Sequence, residues 1–483
     1  MRKVILLALL AVAFVAMPAF ASVQNVKVSG SVNSSWIVRD QFDLGDRTIA
    51  ENYYQNFLIT QAILRVDANL TDKVDATVSL INERAWGDEG NDIDSTGTST
   101  DTSEGANDVD IHLAFVKIRE MLYSPLTVYI GRQVFAYGNS FVIDATGTNN
   151  STSAGGLDGV AEDMTMRSAL DAVRMVFDYN PLTIDVVAAK IDQGNLGGTG
   201  LHDDDIDLFG ANANYKLGDK WDTTVEGYFW AKIDQSTKGG SPGFGLKPDT
   251  VYMPGAHVST NPVKGLNLQA EGAIQRGNKA ITASNPDNVI REAIGGQVVA
   301  NYMLPFEKTA KWSPVVTGVY TYVSGDSNPN ENGNNAGDQH YTAWDPMLEN
   351  QGGGNIYNTL FDLSNAHIAL LKAQVKPMED VTTSVEFTRM WLDKEIAGAG
   401  QSFVGNCSGS SCFVLKQPDG STTNPRVTTN KHIGDEVGLA AVYQYTEDVS
   451  FGAKANYFMP GRMFHKDNSN NASQYIVNAN VNF

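Results

Sequence analysis

The chain has 483 residues, of which 42% are hydrophobic, 19% charged and 9% aromatic, and its formal net charge is −20. The apolar and aromatic content argues against a disordered chain, because so many of these side chains can cover a large buried or lipid-facing surface. The acidic balance argues against a nucleic-acid partner, since phosphate binding needs a basic face. Two cysteines are too few for a disulfide scaffold or a four-cysteine metal site.

The first 21 residues have the layout of a secretory signal peptide. Two basic residues precede an apolar run over residues 4–17, and Ala19 and Ala21 supply the small side chains that a signal peptidase reads. We therefore predict cleavage after Ala21, which leaves residues 22–483 as one barrel domain. A retained membrane anchor is the alternative.

After the leader, segments of about ten residues repeatedly alternate apolar with polar side chains. In residues 58–70, every second side chain is apolar or small, and Gln61, Arg65 and Asp67 stand between them. This period of two is typical of a β-strand with one apolar face. No long stretch beyond the leader has the three- or four-residue spacing of an amphipathic helix.

The connections between these segments alternate between short turns and long loops. Short turns fall at residues 71–73, 218–220 and 446–448, among other places. The long loops are rich in Gly, Ser, Asn and Asp and cover roughly residues 85–108, 133–168, 192–204, 234–249, 276–290, 324–365, 392–432 and 460–472. Counting hairpins in this way gives about eighteen strands. The pattern predicts an all-β fold, a transmembrane antiparallel up-and-down β-barrel with short periplasmic turns and long extracellular loops.

Lipid gives the physical reason for this fold. A closed sheet pairs every backbone N–H and C=O without help from water and leaves no edge. Aromatic residues lie near the predicted strand ends, as interfacial girdles require. The last strand alternates up to Phe483, and a terminal Phe resembles the assembly signal of outer-membrane proteins, so the barrel-assembly machinery is an expected partner. A soluble, secreted β-sandwich or β-helix is the alternative.

Eighteen strands leave an aqueous channel inside a barrel, and alternation predicts which side chains line it. Basic and acidic candidates are similar in number, and most are expected to pair across neighbouring strands. The sequence therefore predicts no strong ion selectivity. The candidates for the substrate path on the strands are Arg65, Asp67, Arg174, Glu226, Glu271, Glu386 and Lys454.

The acidic excess lies in the long loops. Residues 87–110 contain eight carboxylates and no Lys or Arg, and residues 203–205 are a second acidic run. Calcium binding is conceivable there, but the EF-hand spacing is absent and a solvated surface loop is the preferred interpretation. Outer-membrane lipid and lipopolysaccharide are expected partners, and the loops could bind divalent cations that bridge lipopolysaccharide.

The sequence offers no recognisable catalytic or metal site. The histidines show no ligand spacing, and no Ser/His/Asp trio has a familiar context. We therefore predict no enzyme activity, no metal and no cofactor. Cys407 and Cys412 share one long loop and are expected to form a disulfide in an oxidising compartment.

Three groups of motifs resemble the bacterial alginate export family of outer-membrane barrels. They are Ile130-Gly131-Arg132-Gln133 with Tyr137-Gly138, Ser324-Gly325-Asp326 with Trp344-Asp345-Pro346-Met347, and Tyr457-Phe458-Met459-Pro460-Gly461. The resemblance runs in order over most of the chain. It implies an eighteen-stranded monomeric barrel that passes an anionic polysaccharide outward, with loops as gates. The sequence differs from the family after Tyr137-Gly138, where Asn139-Ser140-Phe141 replaces an acidic residue followed by Arg.

Residues 133–168 form the candidate gate. The segment begins with apolar and aromatic residues that a wholly exposed loop would not carry, so part of it is expected to tuck into the lumen and narrow the pore. Arg132, Gln133 and Tyr137 would lie near its hinge. Strict alternation turns Arg132 outward, and we predict a bulge at Gly131 that turns it inward. A lid that only packs on neighbouring loops is the alternative.

The sequence thus predicts a passive outer-membrane channel for small hydrophilic solutes or for oligo- and polysaccharides. A plugged structural or adhesion barrel that displays acidic surface loops is the alternative. A polar lumen and an inward loop favour the channel.

Overall fold

The structure is a computed structural model. It describes residues 25–45, 53–87, 109–144, 157, 161–192, 205–235, 247–279, 289–305, 312–326, 340–349, 353–395, 415–418, 422–423 and 425–483. The predicted signal peptide, Cys407, Cys412 and most of the acidic loop residues lie outside these ranges.

Eighteen long strands form one closed antiparallel sheet. In chain order, β1–β9 are Asn25–Asp40, Tyr54–Thr71, Val74–Ala85, Asp110–Arg119, Leu126–Gln133, Leu170–Asp178, Leu182–Asp192, Ile206–Lys216 and Thr224–Asp234. Strands β10–β18 are Asp249–Val263, Leu266–Asn278, Ile290–Met303, Val315–Val323, Ala366–Met378, Val381–Leu392, His432–Gln444, Val449–Pro460 and Ala472–Asn482. Each strand pairs with the next, and β1 pairs with β18 to close the barrel. The predicted fold and strand number are confirmed.

The short and long connections lie at opposite ends of the barrel, as predicted. The longest connection at the short end, residues 304–314, follows β12. Loop elements are a 3₁₀ turn (Glu162–Met164), helix α1 (Asn355–Leu360) and the two-residue strands His340–Tyr341, Leu415–Lys416 and Thr422–Thr423. Among the residues described, no helix is long and apolar enough to cross a membrane.

Alternation along each strand separates an apolar outer face from a more polar inner face. On β1, the outward side chains of Val28 and Trp36 are 57% and 49% exposed, whereas the inward Arg39 is fully buried. Leu64 on β2 and Ile274 on β11 are also exposed on the outside. Lipid covers such side chains in a membrane barrel, so their exposure marks the lipid-facing surface.

The extracellular half of the barrel encloses an apolar cluster built from loop residues and inward strand residues. Phe141 and Trp344 come from two different loops and Leu360 from helix α1, and all three are almost completely buried. They belong to one cluster with inward residues of the wall, among them Trp230 on β9 and Phe458 on β17. Loops therefore occupy the extracellular part of the lumen.

Candidate functional site

The strand residues predicted to line the substrate path all occupy inward positions. Each of them alternates with outward side chains on its strand and faces an inward residue of the neighbouring strand. These residues are Arg65, Asp67, Arg174, Glu226, Glu271, Glu386 and Lys454. Gln133 is also inward and buried, and its side-chain amide donates to the carbonyl of Ala172 at 3.0 Å.

Arg132 does not turn into the lumen, and the predicted bulge at Gly131 is wrong. The pairing of β5 with β4 and with β6 runs through Gly131 and Arg132 without a register shift. Arg132 therefore keeps the parity of the exposed Ile130, and its guanidinium lies 3.3 Å from the exposed carboxylate of Asp171. Gly131 has a φ of +121°, which glycine can adopt because it has no Cβ, and the register of the strand does not change.

Loop 3, the connection between β5 and β6 (residues 134–169), enters the lumen directly after Gln133. Its Tyr137 is buried, and the hydroxyl donates to the Asp185 carboxylate at 2.8 Å. Burial raises the pKa of Tyr137 far above its usual range, and the Asp185 charge adds to this shift, so the hydroxyl remains a donor. Arg174 binds the same carboxylate at 2.6 Å.

The next residues of loop 3 make a turn that is held by glutamates of the barrel wall. The backbone N–H of Gly138 donates to Glu226 at 3.1 Å, and that of Asn139 donates to Glu271 at 2.7 Å. The Asn139 side chain also donates to Gln297 on β12. Residues 137–140, called the inner turn below, are thus fixed to β7, β9, β11 and β12. Hydrogen bonds to charged acceptors each contribute about 1.5–3 kcal/mol.

A glycine is needed at the second position of the inner turn. Gly138 has a φ of +58°, and a Cβ there would lie 2.5 Å from the Glu271 carboxylate. The backbone can therefore approach the wall only because no side chain intervenes. His257 lies between the two glutamates, with Nδ1 at 3.5 Å from Glu226, and Tyr228 donates to Glu271 at 2.9 Å.

The second described part of loop 3 is attached to the opposite wall. Glu83 on β3 accepts from the backbone N–H of Met166 at 2.7 Å and from the Thr165 hydroxyl at 2.6 Å. The Asp163 carboxylate forms a salt bridge, at 2.7 Å, with the buried guanidinium of Arg39 on β1. Leu157 packs with inward apolar residues of β1–β3.

Loop 3 therefore contacts both sides of the barrel. Glu83 lies on β3 and Gln297 lies on β12, and these two strands are nine positions apart in a closed sheet of eighteen. They are diametrically opposed. The described residues of one loop thus have fixed contacts on opposed walls of the barrel.

Loop 7, the connection between β13 and β14 (residues 324–365), packs on loop 3 inside the barrel. The rings of Phe141 and Trp344 are stacked with centroids 5.4 Å apart. Two backbone hydrogen bonds join the loops, from Leu348 to the carbonyl of Val142 at 3.2 Å and from Asp144 to the carbonyl of Leu348 at 2.6 Å. The two loops form one body, which we call the plug.

Asp345 anchors loop 7 to the wall. Its carboxylate lies 2.5 Å from the Lys232 ammonium on β9 and 3.2 Å from Arg291 on β12. Burial alone would raise the pKa of Asp345, but the two cations outweigh burial and hold the pKa below its usual range. Arg291 also binds Asp249 at 2.7 Å, which fixes its position.

Helix α1 of loop 7 is attached to the wall at Glu436 on β16. The carboxylate accepts from the backbone N–H groups of Ile356 at 3.1 Å and Tyr357 at 3.0 Å. These are N–H groups of the first turn, which have no partner within a helix. Thr359 donates to Asp163 at 3.0 Å and so links the helix to loop 3.

The sequence did not identify the residues that anchor loop 7. Asp345, Lys232 and Arg291 are far apart in the chain, and no spacing rule brings them together. The signal that could have found them is the pair of motifs noted above. Ser324 and Trp344 lie in these motifs, and the backbone N–H of Trp344 donates to the carbonyl of Ser324 at 2.9 Å.

Several lysines line the lumen without a salt bridge to any described residue. They are Lys117, Lys216, Lys376 and Lys454. Lys117 lies over the ring of Tyr129 at 5.5 Å, and Arg174 lies over the same ring at 5.3 Å. The carboxylates of the barrel wall, in contrast, mostly bind arginines, lysines or backbone N–H groups of the plug. Asp178 at the periplasmic end of β6 is an exception among the residues described.

Comparisons with known proteins agree with this architecture. Residues 28–478 match a family model described as alginate export. No curated protein matches the sequence. Two solved structures from Pseudomonas aeruginosa are similar. OccK11 (OpdR) has a TM-score of 0.53 and 8% identity and covers 96% of this chain and 97% of its own. OpdK with vanillate has a TM-score of 0.54 and 11% identity, and the match covers 95% of this chain and 99% of the OpdK chain.

OccAB1 from Acinetobacter baumannii has a TM-score of 0.55 and 12% identity and covers 96% of this chain and 98% of its own. At such low identity these likenesses concern the fold. The family match covers nearly the whole barrel. The protein is an outer-membrane barrel of the channel type, and the chain belongs to the alginate export family.

Proposed function

We propose that the protein is a gated passive channel for small hydrophilic solutes or saccharide chains, with a preference for anionic ones. The observation that carries the proposal is the path of loop 3, which touches opposed walls of an eighteen-stranded barrel. Passage occurs by diffusion past the plug and requires no catalytic residue. Arg65, Asp67, Glu386 and Lys454 contribute to the polar lining of the lumen, and Arg174 holds the Asp185 carboxylate that binds Tyr137 of the plug.

The preference for anions rests on the distribution of ion pairs in the lumen. The carboxylates of Asp185, Glu226 and Glu271 bind the inner turn, so their charges are largely compensated. Unpaired lysines such as Lys117 and Lys454 remain, and they attract anions in a low-dielectric passage. The chain as a whole is strongly acidic, but its charge does not decide what the lumen selects.

The alternative function, a permanently plugged structural barrel, is favoured by one observation. The plug contains a continuous apolar cluster that is as buried as the core of a globular domain. A plug of this kind could serve as a fixed lid. The two proposals differ in whether loosening the inner turn opens a path for ions.

A planar-bilayer experiment on the Glu226→Ala/Glu271→Ala variant tests the gate. Loss of both acceptors frees the backbone of Gly138 and Asn139, and a wider passage is expected to raise single-channel conductance by roughly twofold or more. Glu386→Ala is the matched control, because Glu386 faces the lumen, is paired weakly with Lys372 at 3.8 Å, and makes no contact with the plug in the described residues. Equal conductance of the double variant and the wild type would favour the fixed lid.

The reversal potential under a salt gradient tests the anion preference. The wild-type channel is expected to favour anions, and Lys117→Gln/Lys454→Gln is expected to reduce this preference. Cation preference of the wild type would contradict the proposed anion preference. Lys73→Gln is the control, since Lys73 lies in a short turn and pairs with Glu120 at 2.7 Å.

A further inference from the structure

A cavity of about 680 Å³ opens at the periplasmic rim of the barrel, far from the plug. It lies where the turns after β8, β10 and β12 come together. The lining residues that matter here are Lys220, Trp221, Asn261, Val263, Lys264 and Met303. We propose that this rim cavity binds the headgroup of an anionic phospholipid of the periplasmic leaflet.

The cavity has fixed walls. The backbone N–H of Asn261 donates to the carbonyl of Trp221 at 2.8 Å, which ties the turn after β8 to the end of β10. The N–H of Met303 donates to the carbonyl of Gly265 at 2.8 Å, which ties the turn after β10 to the end of β12. Three adjacent hairpins therefore hold the cavity in one shape before any ligand arrives.

The polar groups of the cavity fit a phosphate. Lys220 and Lys264 form no salt bridge with any described residue, and neither Asp nor Glu occurs among the lining residues, all of which are described. The side-chain oxygen of Asn261, a lining residue, accepts from Asn267 at 3.0 Å, so the amide N–H groups are the part of this side chain that can donate to a ligand. Two ammonium groups and an amide donor match a phosphate diester.

The turn after β8 carries two carboxylates, Asp219 and Asp222, neither of which lines the cavity or forms a salt bridge with a described residue. Asp219 is already engaged. Asp219 accepts from the backbone N–H and the hydroxyl of Thr223, both at 2.8 Å. The hydrogen bond from the Thr223 N–H is the main reason that the pKa of Asp219 lies below its usual range. Asp219 is therefore an occupied acceptor that stabilises the turn, and it does not neutralise the lysines through a salt bridge.

The apolar part of the cavity points to a lipid rather than to a free anion. Val263 is 55% exposed and pairs with Leu266, which lies on the outer face of β11, and Trp221 is 44% exposed with the Lys220 ammonium 5.1 Å from its ring centroid. Met303 shares the inward parity of Gln297 on β12, so it bounds the cavity on the lumen side. An indole at this level, next to a lysine, is typical of the membrane–water interface. A phosphate bound by the lysines would place its acyl chains along Val263 and the outer face of β10 and β11.

Native mass spectrometry of the full-length folded barrel tests this proposal. The protein is released from micelles that contain equal amounts of phosphatidylglycerol and phosphatidylethanolamine. The wild type is expected to retain phosphatidylglycerol, and Lys220→Gln/Lys264→Gln is expected to bind it roughly thirtyfold more weakly, since the variant loses the attraction of two basic residues near the membrane surface. The single variants Lys264→Gln and Lys73→Gln each remove one exposed turn lysine at the same end of the barrel, and only Lys264→Gln is expected to weaken binding.

Several outcomes would overturn the proposal. Equal retention of phosphatidylethanolamine would show that the anionic headgroup is not recognised, and equal loss in Lys73→Gln would show nonspecific attraction. Displacement of phosphatidylglycerol by millimolar inorganic phosphate would identify a phosphate site without lipid specificity. Heat-modifiable migration on gels checks that each variant is folded. Quenching of Trp221 by brominated phosphatidylglycerol, lost in Trp221→Phe, gives a second readout of the same site.

Discussion

At the scale of single residues, charge pairs decide where the plug is held. Asp345 is the clearest case, because one carboxylate serves two cations on different strands. Removing one partner of a largely buried pair is more costly than removing an exposed pair, since the remaining charges lose their compensation. The exposed pair of Lys416 with Asp362 at 2.5 Å provides the comparison within the same loop system.

We expect Asp345→Asn to loosen loop 7 by about 3 kcal/mol, because the largely buried Lys232 then loses its counter-charge and Arg291 keeps only Asp249. Amide hydrogen exchange in residues 340–349 should speed up by roughly a hundredfold as local opening becomes easier. Lys416→Gln is the control and should change exchange by less than about fivefold, as expected for an exposed pair. Unchanged exchange in Asp345→Asn would show that the apolar contacts alone hold loop 7.

The lowered pKa of Asp345 determines how the attachment of loop 7 depends on pH. The folded-state pKa lies below the unfolded value of about 4, so the anchor contributes fully above that value and is lost only as the pH falls through the folded value. Wild-type exchange in residues 340–349 should therefore stay slow from neutral pH to about pH 4 and rise below it, after correction for the intrinsic pH dependence of exchange. Asp345→Asn should show no such step.

At the scale of elements, the strands were predictable and the plug was only partly so. Alternation in residues 58–70 predicts β2 because lipid and lumen impose opposite polarities on its two faces. The same rule gave the inward positions of Glu226 and Glu271. Alternation cannot show that these glutamates bind the inner turn. Contacts such as that of Gly138 with Glu226 join residues far apart in the chain, and no repeat in the sequence connects them. For Arg132, strict alternation alone predicts the observed outward position, and the bulge predicted at Gly131 is the incorrect step.

Loops 3 and 7 should open together, because Phe141 and Trp344 stack and two backbone hydrogen bonds join them. A double-mutant cycle with Phe141→Ala and Trp344→Ala measures this, and aromatic pairs typically couple by about 0.5–1.5 kcal/mol. Each single variant should speed exchange in both loops. Strictly additive effects, or exchange that changes in one loop only, would indicate that the loops move independently.

At the scale of the whole molecule, barrel closure depends on the pairing of β1 with β18. The backbone of Gly30 exchanges two hydrogen bonds with Phe483, at 2.9 and 3.0 Å. A Cβ at Gly30 would lie 2.7 Å from the ring of Phe483. The final residue thus packs where the sheet closes, and the lack of a side chain at Gly30 makes room for it. Recognition of Phe483 by the assembly machinery stays a prediction.

We expect Gly30→Val to impair closure by about 1–3 kcal/mol, the usual cost of overpacking a filled position. Since closure leaves no free strand edge, even a modest penalty at this seam should lower the fraction of barrels that reach the heat-resistant folded form on gels. Gly318→Val is the matched control, because a Cβ at Gly318 on β13 meets no atom within 4 Å. Combining Gly30→Val with Phe483→Ala should restore part of the folded fraction if the clash with the ring is the cause. No recovery would place the defect in the backbone of β1 and β2, where the new side chain also approaches the carbonyl of Ile63.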